Sequence, residues 1–267
     1  EPLRGVISAG RHLSKVVHFG DQQVFENATT YTCLMFLEKT GCKSAEIETV
    51  QDLQSWRLGV SGLTGLIDAT KIDNLVWNFV IGSESGLCER MALMPVKLGN
   101  IVSRIFQGLK TGADPVFILD ELENGKFYSN ALKSDVELEQ TYLRPLFKSG
   151  QMKRYILHSN SRYVIFPYKH GKLIPWDEIL STAPKTASYL RSCKDILSKR
   201  ERGKWTGPEW YCFSRNQALE IISSPKILTA DLNPHANYCY DNLGLACFPG
   251  GAAGGYGIVV DEKMRLY

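Results

Sequence analysis

Residues 13 to 39 read LSKVVHFGDQQVFENATTYTCLMFLEK. Two short apolar runs, Leu13 to Phe19 and Tyr31 to Leu37, flank a polar stretch holding Gly20, Asp21 and Asn27. β-Branched and aromatic residues dominate both runs, and glycine with asparagine breaks them apart, the pattern of two strands and a connection. Near-continuous hydrophobicity predicts strands covered on both faces, as in an α/β sheet. Two strands are too few to be stable alone, so this pair needs cover from elsewhere in the chain or belongs to a larger sheet.

Outward from that pair the texture changes. From Thr40 to about Gly65 the chain is polar and interrupted by glycine, with one short amphipathic helix expected near Val50 to Trp56. Further on, β-like runs recur at Val76 to Ile81, Ile101 to Phe106, Val116 to Leu119 and Tyr163 to Tyr168. A single strong helical pattern, Thr186 to Lys199, interrupts them. Many strands with few helices, not in strict alternation, predict an α+β domain.

Composition narrows the function classes. With 44% apolar and 22% charged residues the chain is an ordinary globular sequence. No run approaches the roughly 18 apolar residues of a membrane span, and the first residues, EPLRGVISAGRHL, lack the features of a secretory signal. Its seven cysteines form no C-x-x-C pair and sit mostly among apolar neighbours, which predicts reduced thiols in a cytoplasmic protein. The net charge of +3 does not by itself indicate nucleic acid. Its distribution says more. Lys185, Arg191, Lys194, Lys199, Arg200, Arg202 and Lys204 face only Asp195 and Glu201 within one stretch, and Lys148, Lys153 and Arg154 form a smaller group. Each group reads either as a solvated surface or as a set of phosphate contacts.

Several chemistries lack their residues. The five histidines show no metal-ligand spacing, and in Gln107-Gly108-Leu109-Lys110-Thr111 a leucine replaces the glycine that a phosphate-binding loop requires before its lysine. The run CFPGGAAGGYGI (247–258) does not give G-x-G-x-x-G and reads as a tight backbone feature. A magnesium-dependent nuclease is the nearest enzymatic alternative, with Asp261 and Lys263 at the end of a β-like run and Asp241 as a second carboxylate. A non-catalytic protein-interaction module is another.

The order of landmarks is more specific than any one of them. The Phe-Gly-Asp, Val24-Phe25 and Ala28 series resembles the last sheet strands of the catalytic domain in TaqI-like, type IIG restriction-modification adenine methyltransferases. Leu98-Gly99-Asn100 with IVSRIFQGLKTGADPVFIL (101–119) resembles the opening of that family's target-recognition domain, and LRPLFKSGQMKRYILHSNSRYVIFPY (143–168) a later segment of it. Tyr189 to Arg202, Trp205 to Tyr211, Pro225-Lys226-Ile227 and the glycine run follow in matching order.

The resemblance implies three parts: residues 1–45 as the C-terminal strand pair of a Rossmann-like methyltransferase domain, 46–95 as a connecting segment, and 96–267 as a truncated DNA-specificity domain. It implies double-stranded DNA and the methyltransferase domain of the same polypeptide as partners. S-Adenosylmethionine would be the cofactor of the parent enzyme, with none bound by these residues and no catalytic residue among them, since the only Asn-Pro, Asn233-Pro234, lacks the family's Asn-Pro-Pro-aromatic motif. Phe25 is implied as the aromatic that stacks on the flipped adenine, and is otherwise an ordinary core phenylalanine. Gln107, Lys110 and Thr111 lie in a glycine-flanked loop suited to approach a duplex, or form a plain turn. The basic residues are expected at phosphates, with Arg215 or the stretch from Trp205 to Tyr211 reading bases.

Overall fold

A computed structural model describes residues 2–28, 30–158, 161–232, 235–251 and 254–260. Contacts divide the chain into two units, Glu1–Pro95 and Val96–Tyr267. Among the described residues no helix is long and apolar enough to cross a membrane.

The first unit contains α1 (Pro2–Ala9), β1 (Leu13–His18), β2 (Cys33–Leu37), β3 (Ser44–Thr49), α2 (Leu53–Arg57), β4 (Leu63–Asp68) and α3 (Ser85–Ala92). Its sheet runs β2-β1-β3-β4, with β1 and β3 parallel and the outer pairs antiparallel. Residues 46–95 are therefore not a connection. Ala45 and Ile47 are buried on one face of β3 and Glu48 on the other, and pairing with β1 and β4 makes β3 a central strand.

Cover on both faces holds for β1. Val16 joins a cluster with Ile7, Ala45 and Ile47. Val17 joins another with Phe19, Val50 and Leu53. The expectation fails for β2, whose residues are all exposed, because it pairs on one side only and lies at the sheet's edge. The expected helix forms as α2, where Asp52 accepts the Ser55 amide at 2.7 Å and caps its start. Val76 to Ile81 forms no strand. Trp77, Phe79 and Ile81 pack on the β1–β3 cluster, so the apolar run there reflects packing without a ladder.

Glu48 is the electrostatic centre of this unit. Lys15 Nζ lies 2.8 Å from its Oε2, while the Gly62 amide and the Trp56 indole each donate to its Oε1 at 3.0 Å. Lys15, first, and the Gly62 amide hold this carboxyl below its usual range, and the same contact raises Lys15.

The second unit contains α4 (Leu98–Ile101), β5 (Val102–Gln107), α5 (Asp114–Phe117), β6 (Ile118–Glu121), β7 (Phe127–Ser129), β8 (Ser134–Val136), β9 (Leu143–Pro145), β10 (Met152–Lys153), β11 (Ile156–Leu157), β12 (Arg162–Ile165), β13 (Tyr168–Lys169) and β14 (Lys172–Leu173). These are followed by α6 (Trp176–Thr182), α7 (Pro184–Ser192), α8 (Lys194–Ser198), α9 (Arg200–Gly203), β15 (Lys226–Ala230), β16 (Tyr238–Asp241) and β17 (Gly255–Val260). An antiparallel five-stranded sheet runs β8-β7-β6-β12-β9, and an antiparallel four-stranded sheet runs β16-β15-β17-β5. This is a mixed α+β arrangement.

One core joins both sheets to α6, α7 and α8. Phe213 is wholly buried at its centre, with ring centroids of Phe117, Tyr168 and Phe166 at 4.9, 5.0 and 6.0 Å. Two local expectations are corrected. Pro115 suits the first turn of a helix, so Asp114–Phe117 makes one turn before β6 begins. The Thr186 to Lys199 helix is broken at Cys193, between α7 and α8.

Asp241 is also placed differently. It accepts from the fully buried Lys226 ammonium and from the amides of Leu245 and Ala246. Burial pulls the Lys226 pKa down, and the hydrogen bond to Asp241 opposes that shift. This carboxylate is committed to the fold and closed to a metal, while Asp261 and Lys263 lie outside the described residues. Asp241→Ala strands a buried ammonium and should cost about 3–5 kcal/mol in urea denaturation.

A second test concerns pH. The Glu48 value is lower folded than unfolded, so its stabilisation is fully present above the ordinary carboxylate range and lost as pH falls through the lowered value. Lys15 is raised, so its contribution is full below its ordinary value and lost as pH rises through the raised one. Calorimetric melting of the whole chain under acid conditions should fall along a limb that Glu48→Gln flattens.

Candidate nucleic-acid interface

Two glycine loops distant in sequence meet backbone to backbone. The Leu109 amide donates to the Phe248 carbonyl at 2.8 Å, and the Gly250 amide returns a bond to the Leu109 carbonyl at 2.9 Å. A Cβ on Gly108 would stand 2.2 Å from the Phe248 carbonyl oxygen, and one on Gly254 would stand 1.7 Å from that of Pro249. Only glycine permits this approach. Gly108-Leu109 and Phe248-Pro249-Gly250 are thus one structural junction.

Side chains fix the junction from both sides. Lys110 Nζ donates to the Gly250 carbonyl at 2.7 Å, and Gln217 Nε2 to that of Gly108 at 2.7 Å. Gln107, exposed at the end of β5, donates to the Tyr256 hydroxyl at 3.1 Å. Thr111 is buried and bonded to Asp114, which removes it from any outer surface. Arg200 is likewise corrected. It is buried and donates to the carbonyls of Leu197, Thr111, Cys212 and Trp210 at 2.8–3.0 Å, so it tethers the loop from within. Burial lowers its pKa, the cost expected for an enclosed guanidinium.

The other basic residues separate. Lys185 pairs with Glu137 just beyond β8, one edge of the five-stranded sheet, whereas Lys148 follows β9, the opposite edge. Arg191 and Lys194 lie over the rings of Trp176 and Trp210, and Lys204 over Trp205. The kink at Glu201 and Arg202, both in the left-handed region, sets Glu201 against Arg215 at 2.6 Å. Lys199 and Arg202 are exposed; Lys153 and Arg154 are exposed on the β10–β11 hairpin, where Arg154 reaches the Ala236 carbonyl. Tyr211 is buried, with its hydroxyl on the Ile174 carbonyl and its pKa pushed up to about 12 by burial. Trp205 is half-buried. Tyr211 belongs to the core, so it reads no base.

A cleft of about 490 Å³ adjoins the junction. Gly250, Lys148, Asp114, Lys133, Asp120 and Arg162 are among its lining residues. Lys133, Asp120 and Arg162 escaped sequence reading because no short spacing links them; the ladder register Arg162↔Asp120 does.

In the first unit, Phe25 is 59% exposed and so is no core residue. Its neighbour Val24 packs on the Phe19 cluster and gives its carbonyl to Arg57.

No protein-family model matches the chain. The type II restriction enzyme and methyltransferase RM.Eco57I of Escherichia coli is 32% identical over 287 residues, covering 98% of this chain and 28% of that protein. The chain is related to restriction-modification enzymes. The type II methyltransferase M.NspV of Nostoc sp. is 30% identical over 95 residues, 35% of this chain and 19% of that one. A solved structure of the type IIL restriction-modification enzyme MmeI in complex with DNA shares the fold, with a TM-score of 0.52 at 12% identity, over 98% of this chain and 31% of that chain. This restriction-modification relative thus spans less than a third of the length of RM.Eco57I.

If Arg200 holds the loop from inside, Arg200→Ala leaves several buried carbonyls unsatisfied and should destabilise the chain by about 3 kcal/mol or more in denaturant titration. Unchanged stability would show that Arg200 is dispensable to the junction.

Proposed function

We propose that this chain recognises double-stranded DNA on behalf of a restriction-modification adenine methyltransferase of the type IIG kind. The observation that carries the reading is the similarity to RM.Eco57I along 98% of the chain. The DNA in the MmeI complex supports DNA as the partner. So does the grouping of Gln107, Lys110 and Lys148 around one junction and its cleft.

The methyltransferase portion of the same cytoplasmic enzyme is proposed as the second partner. Exposed edge strand β2 supports this, since it can accept a further strand of a catalytic-domain sheet. Exposed Phe25 is available to stack on a flipped adenine, which must leave the duplex before its amine can be methylated. S-Adenosylmethionine would supply that methyl group. One observation supports placing that cofactor elsewhere: the glycine loops at Gly108 and Gly250 are closed against each other in backbone contact and leave no cradle between them. Its site is assigned to the methyltransferase portion.

Binding of the chain to duplex should weaken linearly in log affinity against log salt as phosphate contacts release counterions. Lys148→Ala should make that slope shallower by about one and weaken all sequences alike. Fluorescence anisotropy across a salt series checks both, and negligible binding at low salt would count against the reading.

A further inference from the structure

The five-stranded sheet has one face on the core, through Leu119, Phe127 and Ser129, whose hydroxyl meets that of Tyr189. On its second face, Asp120 of β6 stands opposite Arg162 of β12, and Arg162 Nε lies 2.8 Å from Asp120 Oδ1. These side chains keep 34% and 29% of their exposure, so the pair is neither sealed nor fully solvated. It opens into the cleft beside the glycine junction.

The cleft's lining carries three cations, Lys133, Lys148 and Arg162, against two carboxylates, Asp114 and Asp120. Lys133 arrives from the β7–β8 turn and Lys148 from beyond β9, on either side of the central strands that carry the pair. Lys133 holds φ at 56°, a conformation that glycine or asparagine adopts more cheaply, so a lysine is kept there against local preference. Both lysines are exposed, and the pair offers a donor and an acceptor, so the cleft holds the chemistry for phosphate contacts beside a base-edge contact.

We propose that Asp120 and Arg162 are specificity-determining residues that together read a G·C pair in the major groove. Arg162 donates to the O6 and N7 edge of guanine, and Asp120 accepts from the cytosine amine. The contact between them sets the guanidinium plane from two paired strands, so the reading group is pre-positioned. Asn130, also at the cleft, adds a donor and acceptor beside them. The inference rests on the DNA-recognition reading above and specifies which side chains carry the discrimination.

The test is selection of bound duplexes from a random-sequence pool by the whole chain, by Asp120→Asn and by Arg162→Gln, with circular dichroism to check folding. Wild type should enrich a motif containing a G·C pair. Each variant should lose preference at that position by roughly 5- to 150-fold, the range for one good bidentate contact, with other positions retained. A purely structural ion pair would instead weaken every sequence alike. If folded variants enrich the wild-type motif with unchanged weight at every position, the assignment is overturned while DNA recognition stands. Should wild type itself enrich nothing, sequence recognition falls and this pair with it. If Arg162→Gln fails to fold, Asp120→Asn alone decides, because it removes the acceptor charge with almost no change of shape.

Discussion

The second unit turns on one enclosed cation. Arg200 sends its donors to four main-chain carbonyls on three segments, the end of α8, the loop at Thr111 and the stretch from Trp210 to Cys212. A guanidinium suits this task because its donors lie in a rigid plane and keep their charge at any ordinary pH. Phe117 and Trp205 pack near its plane, with ring centroids 5.8 and 5.5 Å away, so dispersion and charge–quadrupole attraction offset part of its desolvation. The loop from Gln107 to Gly112 is thereby held from inside while the glycine run holds it from the other side. Whatever that loop contacts meets a surface already in place.

The same chemistry explains why the basic run does not act as one cationic face. Three of its charges lie over tryptophans, one pairs with Glu137 and one is interred. Charge counted along a sequence assumes that neighbours stay neighbours. Here Cys193 ends one helix and the left-handed residues Glu201 and Arg202 redirect the next, so successive lysines diverge. Of the charges that line the cleft, Lys133 and Lys148 come from separate strand connections, and Asp114, Asp120 and Arg162 from α5, β6 and β12.

Much of the framework was legible where local rules coincide with tertiary need. β1, β2 and β5 lie close to where apolar runs bounded by polar or glycine residues placed them, and α2 follows its Asp52 cap. The mixed α+β character followed from strands without regular alternation. The β-like run at 76–81 misled because apolar residues that pack on a core give the same composition as a strand without forming a ladder. Glu46 and Glu48 hid β3 by giving its sequence a polar look, although Lys15 neutralises both. Of the site, the glycine loops were visible singly but not their meeting. Asp120 and Arg162 were not visible at all, because register across antiparallel strands is a tertiary property.

β2 has a consequence for handling the protein. Leu34, Met35, Phe36 and Leu37 stand 43–54% exposed on a strand with one unused row of amides and carbonyls, and Cys33 beside them is exposed too. Nothing in that run is charged or interrupted by proline, two of the usual devices against strand addition, and the register shift in its ladder lies on the β1 side, between Leu13 and Lys15. Kept concentrated without a companion domain, the polypeptide carries its own template for self-association. Exposed Cys33 adds a thiol open to air oxidation at the start of that edge, so solubility and redox state both bear on the same five residues.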